Sequence, residues 1–325
     1  MGAKQKIYIT RRIPQPGIDY LSERFEVEVN PEDRVLRREE LLEAVKSADG
    51  ILCLLTDKID AEFFDAAQHL KGVANYAVGY DNIDVPEASR RGIPVSNTPG
   101  VLTDATAEMA WALLFSVARR VVESDGLMRS GSWGGWGPLQ FIGGDVSGKT
   151  LGIVGTGRIG TAMALKSQGF NMKVIYTDIA DNPVLDEKCN ARRVDFDTLL
   201  RESDFISIHV PLMESTRHLF NTDTFKKMKP SAYLINTSRG PVVNEAELVQ
   251  ALKNKELAGA GLDVYENEPA MVDGLADQVN TVLTPHTASA TKEARTNMAL
   301  KAARNLASML EEGVAPPDCV NKEIL

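Results

Sequence analysis

The chain has 325 residues, 43% hydrophobic and 25% charged, with 45 acidic against 36 basic side chains and a net charge of -9. A length of that order suits about two domains of roughly 100–200 residues, and the composition excludes a disordered chain, which needs low hydrophobicity with high net charge. The acidic balance leaves no basic stripe for a phosphodiester backbone, so nucleic acid is not an expected partner, and an anionic substrate would need a local cation.

The opening MGAKQKIYIT lacks the long apolar core of a secretory signal. Short β-branched runs then alternate with helical patterns, the signature of an α/β fold on parallel sheets. The first series of strands reads at 6–10, 25–29, 50–55, 73–77 and 94–96, with helical patterns at 38–47 and 61–67. A stretch over 104–130 carries Trp111, Leu114, Phe115, Ala118, Val121 and Val122 at helical spacing, which predicts one long amphipathic helix. Its apolar part contains Glu108, Arg119 and Arg120, so it makes a poor membrane span. The Gly/Trp-rich run 131–137 reads as a loop.

A second α/β series follows, with strands at 151–155, 173–178, 205–210, 232–237 and 259–264 and helices starting near Arg158, Thr222 and Asn244. A last helix over about 292–312 is expected to return to the first domain, which would make that domain discontinuous. Cys53, Cys189 and Cys319 are odd in number and scattered. They argue against a disulfide framework, for a reducing compartment, and against a metal site, since no pair has ligand spacing. A soluble cytoplasmic protein without a metal is the expectation.

Gly155-Thr156-Gly157-Arg158-Ile159-Gly160 is a GxGxxG turn between a strand and a helical pattern. The first glycine permits the tight turn, the second lets backbone approach a pyrophosphate, and the third allows close helix–strand packing. The helix N-terminus offers free N–H groups to the phosphates. Asp178 ends the next strand; a carboxylate there suits the ribose hydroxyls of NAD(H) and repels the extra phosphate of NADP, and neighbouring Thr177 and Ile179 supply no cation. The plain alternative is a glycine turn followed by a surface aspartate, but strand, turn, helix and acid occur in the right order.

Three further stretches carry candidate chemistry. Arg239 ends an apolar strand, and an arginine fork suits a carboxylate. Glu268 lies in a carboxylate-rich turn after the next strand, and His286 in the loop before the last helix. Hydride transfer to a carbonyl needs a cation for the substrate, an acid for the developing alkoxide, and a carboxylate to orient that acid; Arg239, His286 and Glu268 can fill these roles. Taken singly, each has a blander reading: a surface ion-pair partner, a satisfied imidazole, a solvated glutamate.

Together, Arg239 in NTSRGPVVNEAEL, Glu268 in GLDVYENEP and His286 in LTPHTASAT resemble the ordered motifs of the D-isomer-specific 2-hydroxyacid dehydrogenase family. The resemblance covers essentially the whole chain. Within the family the likeness is to glyoxylate/hydroxypyruvate reductases, because Asn75–Asp84 looks like their substrate loop. The resemblance implies NAD(H)-dependent reduction of a small 2-oxo acid, glyoxylate or hydroxypyruvate, to the D-2-hydroxy acid, with His286 as general acid/base. It implies that amides near Ala77, Val78 and Gly79 hold the substrate carboxylate opposite Arg239. Thr106, Pro211 and Thr237 match positions beside the cofactor, and Asp263 an aspartate that bonds the nicotinamide amide; its plain alternative is a strand-end cap. The implied fold is two Rossmann- or flavodoxin-like doubly wound parallel-sheet domains with a cleft between them. They are a discontinuous substrate domain (1–101 plus 288–325) and an NAD-binding domain (102–287). The helix after Thr103 resembles the family's dimerisation element, so a homodimer is expected.

Other D-2-hydroxyacid dehydrogenases, acting on D-lactate, D-glycerate or phosphoglycerate, compete with this reading. A phosphorylated substrate would want extra cations, and 75–84 contains none. Some relatives are NAD-sensing corepressors that bind proteins instead; the intact arginine, glutamate and histidine set favours an enzyme. Thr287-Ala288 departs from the Ile-Gly more usual in the family and bears on pocket shape.

Overall fold

The computed structural model describes residues 4–311 and 314–324. The chain divides into two compact units, Met1–Leu102 with Ala290–Leu325, and Thr103–Ser289.

The first unit is a five-stranded sheet of β1 (Lys6–Ile9), β2 (Glu26–Val29), β3 (Gly50–Cys53), β4 (Gly72–Asn75) and β5 (Val95–Ser96). Its strands are parallel in the order β2-β1-β3-β4-β5, the flavodoxin-type doubly wound arrangement. Helices α1 (Gln15–Ser22), α2 (Arg38–Val45), α3 (Ala61–Ala66) and α4 (Val85–Arg90) make the crossovers. Every residue of β3 and β4 is buried, as expected for strands covered on both faces, whereas the edge strand β2, Glu-Val-Glu-Val, stays partly exposed. Asp60 and Asp84 start α3 and α4 by accepting the amides of Phe63 and Glu87. Ile51, Ile59, Phe63, Phe64 and Val73 fill the core on one side of the sheet.

The second unit opens with α5 (Thr103–Ala118) and α6 (Val121–Arg129). It continues β6 (Thr150–Val154), α7 (Arg158–Lys166), β7 (Lys173–Thr177), α8 (Pro183–Cys189), β8 (Arg192–Arg193), α9 (Phe196–Glu202), β9 (Phe205–Ile208), α10 (Thr222–Phe225), β10 (Tyr233–Asn236), α11 (Glu245–Lys253), β11 (Gly259–Leu262) and β12 (Thr281–Leu283). The seven strands run parallel in the order β12-β11-β10-β9-β6-β7-β8. That is the dinucleotide-binding order, with its switch point between β6 and β9. The chain then returns through α12 (Lys292–Glu311), which packs on α1 and β4 of the first unit.

Two expectations about elements change. The single helix over 104–130 is two helices, because Arg120 takes a left-handed φ of 52° that no right-handed helix continues through. The carbonyl of Ala118 accepts the Gly144 amide at 2.9 Å instead. Several strands stop short of their expected ends: β7 at Thr177, β9 at Ile208, β10 at Asn236 and β11 at Leu262. The residues just beyond leave the ladder and build the site. Residue 312, the expected end of the last helix, lies outside the described residues.

Candidate active site

At β10 the apolar Leu234-Ile235 drives the strand through the core, and Asn236 shapes the turn beyond it. Its side-chain oxygen accepts the Ser238 amide at 3.0 Å, and its side-chain nitrogen donates to the Arg239 carbonyl at 2.9 Å. Arg239 is thereby set at the carboxyl edge of the sheet. Gly240 comes next, and a methyl there would fall 1.9 Å from the carbonyl carbon of Tyr265. Only glycine lets the Arg239 turn lie flat against the turn after β11. Glu245, at the start of α11 and 3% exposed, binds the other side of that turn through the amides of Glu266 and, at 3.2 Å, Val272.

Glu268 occupies this turn. One of its oxygens accepts the Tyr265 amide at 3.0 Å, and the other meets Nδ1 of His286 at 2.8 Å. Burial pushes the Glu268 carboxyl up, but the hydrogen bond and charge of His286, the Tyr265 amide and the charge of Arg239 together hold it below its ordinary value. All three sequence-predicted residues therefore belong to one electrostatic group. With Nδ1 committed to a carboxylate, Nε2 is the imidazole nitrogen that can exchange a proton.

His286 itself has a left-handed φ of 53°. Asp263, wholly buried, holds that conformation: its carboxylate accepts the Thr284 hydroxyl at 2.6 Å and the amides of Thr287 and Ala288 at 2.8 and 2.7 Å. Its backbone carbonyl accepts the His286 amide at 2.9 Å. The Tyr265 hydroxyl adds a bond to the Thr284 carbonyl at 2.9 Å. Asp263 thus clasps the histidine loop. Glu245, Tyr265, Thr284 and Gly240 escaped the sequence reading, because their contribution depends on which turns meet in space.

The glycine turn lies between β6 and α7. Gly155 has a φ of 90° and its amide bonds the Thr177 carbonyl at 3.0 Å. Gly157 precedes α7, Arg158 and Ile159 open it, and a methyl at Gly160 would lie 2.0 Å from the Gly155 oxygen. Asp178 bends onto the turn, accepting the Thr156 amide and hydroxyl, the latter at 2.9 Å. Burial pushes its carboxyl up, but those bonds and the amides of Ile179 and Ala180 keep it below the usual range. Arg193, from β8, donates to the Asp178 carbonyl at 2.8 Å and pairs with Asp181 at 2.9 Å. This cation beside the acid was not visible from Thr177 and Ile179, since it arrives by strand pairing.

Of the remaining cofactor-side candidates, Thr106 is buried on α5 and Pro211 is exposed after β9. Thr237 is 7% exposed, and its hydroxyl has no protein partner. An orphaned hydroxyl at the carboxyl end of a sheet whose glycine turn is already formed fits a bound dinucleotide. In the first unit, the loop after β4 carries Ala77, buried, and Val78 and Gly79, half-buried. Among the described residues no group of three or more histidine, cysteine, aspartate or glutamate side chains could hold a metal ion. Among the described residues no helix is long and apolar enough to cross a membrane.

The family model of the D-isomer specific 2-hydroxyacid dehydrogenase, NAD binding domain, matches residues 111–288. Glyoxylate reductase of Thermococcus litoralis is 51% identical over 99% of this chain and 98% of its own length. That of Thermofilum pendens is 50% identical over 99% of this chain and 96% of its own. Among solved structures, NADPH-dependent glyoxylate/hydroxypyruvate reductase of Sinorhizobium meliloti, in complex with NADP and malonate, superposes with a TM-score of 0.86 at 32% identity, covering 98% of this chain and 97% of that one.

Proposed function

The chain belongs to the D-isomer-specific 2-hydroxyacid dehydrogenase family and is a nicotinamide-dependent oxidoreductase; from that premise we propose that it reduces glyoxylate to glycolate or hydroxypyruvate to D-glycerate. The observation that carries the site assignment is the 2.8 Å pair of His286 and Glu268 within the field of Arg239. When bound, the nicotinamide cofactor would supply the hydride. Arg239 grips the substrate carboxylate and polarises the carbonyl. In the first unit, the amides of the loop at Ala77, Val78 and Gly79 offer donors to a carboxylate. Protonated His286 gives its Nε2 proton to the alkoxide, and ionised Glu268 keeps the ring oriented.

The Gly155–Gly160 turn and the N-terminus of α7 receive the pyrophosphate, Asp178 the ribose, and Thr106, Pro211, Thr237 and Asp263 line the remainder. Asp178 supports a preference for NADH. Replacing His286 by alanine is expected to lower turnover by about 10²–10⁴-fold while NADH affinity is kept, measured by NADH absorbance with glyoxylate and by fluorescence titration. Normal turnover in that variant would remove the assigned acid.

The exposed side chains of Val121, Val122, Met128, Trp133, Trp136 and Ile142 support a homodimer through α6 and the loop after it. Sedimentation should give twice the chain mass, and an Ile142→Glu, Val122→Glu variant should sediment as one chain. Three free cysteines support a cytoplasmic location.

A further inference from the structure

We propose that Asn97 and Asn75 are positioning residues for the substrate carboxylate, aiming three consecutive amides of the loop after β4 at it. The inference rests on the functional reading above and extends it to residues that touch no reactant.

Each carbonyl of this loop is tied down from behind. The Ala77 carbonyl accepts the Thr98 amide at 2.8 Å, the Val78 carbonyl accepts Nδ2 of Asn97 at 2.7 Å, and the Gly79 carbonyl accepts Nδ2 of Asn75 at 2.9 Å. A trans peptide carries its N–H opposite its C=O. Anchoring three successive carbonyls toward the ends of β4 and β5 therefore turns the amides of Val78, Gly79 and Tyr80 the other way, off the edge of the sheet. Among the described residues these three amides donate to no protein acceptor. Adjacent N–H groups held open in this way form an anion-binding concavity. The peptide geometry also moves the cradle one residue along, from 77–79 to 78–80.

The anchors are themselves fixed. Asn75 is wholly buried, and its Nδ2 also bonds Oδ1 of Asn82 at 3.1 Å; Asn82 in turn donates to the carbonyls of Leu54 and Asp57 at 3.0 and 3.1 Å. Asn97, 8% exposed, has its own carbonyl held by Asn305 of α12 at 3.1 Å. Asp318 pairs with Lys301 at 3.1 Å and accepts from Asn305 at 3.4 Å. A buried polar network of this kind has one satisfied arrangement and so specifies the loop's backbone.

The test uses the full chain, NADH, glyoxylate, and oxamate as an unreactive carboxylate probe, with Asn97→Ala and the isosteric Asn97→Asp, which sets an acceptor against the Val78 carbonyl. In Asn97→Ala, the KM for glyoxylate and the Ki of oxamate should both rise about tenfold, as for one lost hydrogen bond, with kcat within about threefold and NADH affinity unchanged. Asn97→Asp should be worse in the same two constants. A folded variant with wild-type KM and Ki overturns the positioning role and leaves the reductase reading standing. An unmodified chain that reduces no 2-oxo acid overturns both. Should the variants not fold, amide resonances of the unmodified protein decide. Oxamate should shift Val78, Gly79 and Tyr80, and unmoved resonances overturn the role.

Discussion

The residues that matter most act in pairs, and Glu268 shows why. Its carboxyl is held below the ordinary value, so the ionised form is the one that the native state favours. The pair with His286 is therefore complete above the ordinary glutamate range, and its contribution is lost as pH falls through the lower native value. Replacing Glu268 by glutamine should lower kcat/KM for the 2-oxo acid by roughly 10–100-fold, measured by stopped-flow NADH oxidation. The variant should also lose less stability than the parent between neutral pH and pH 3, followed by thermal melts. Arg239, Glu268 and His286 were legible in the sequence because each ends or follows an apolar strand in a distinctive motif. Arg193 and Glu245 were not, since one reaches Asp178 through strand pairing and the other reaches the Glu268 turn from the start of a helix.

Caps made some elements legible and left others unread. Helix α3 has Asp60 at its cap and α11 has Asn244, both readable signals, whereas α1 begins Gln-Pro-Gly and carries no side-chain cap. The break between α5 and α6 rests on the backbone of Arg120, which residue type does not announce. Asp60 gives the element scale its prediction. Burial pushes its carboxyl up, but Lys58, Arg38 and the Phe63 amide bring it down to about 2. Its contribution is complete above the usual aspartate value and disappears as pH falls toward 2. Asp60→Ala should lower the unfolding free energy by about 1 kcal/mol at neutral pH, as lost N-caps do, with the difference shrinking on acidification; urea melts across that range check both.

The whole molecule has one unit made from a continuous stretch and one made from two. Thr103–Ser289 contains the complete seven-stranded sheet, its core clusters, the glycine turn and all three of Arg239, Glu268 and His286. Expressed alone, it should fold and bind NADH, as fluorescence titration would report, yet reduce no 2-oxo acid if the loop that bears Val78 and Gly79 binds substrate as proposed. The α/β alternation made both sheets legible; the alternation alone could not say which helix returns, and α12 is identified by its packing on α1 and β4. The left-handed backbone at His286 has a consequence at this scale too. A non-glycine residue there costs on the order of 1–3 kcal/mol, which the four bonds from Asp263 offset. Energy of folding is thus stored beneath the imidazole, so substitutions that relaxed this corner would yield a sturdier protein and a poorer catalyst.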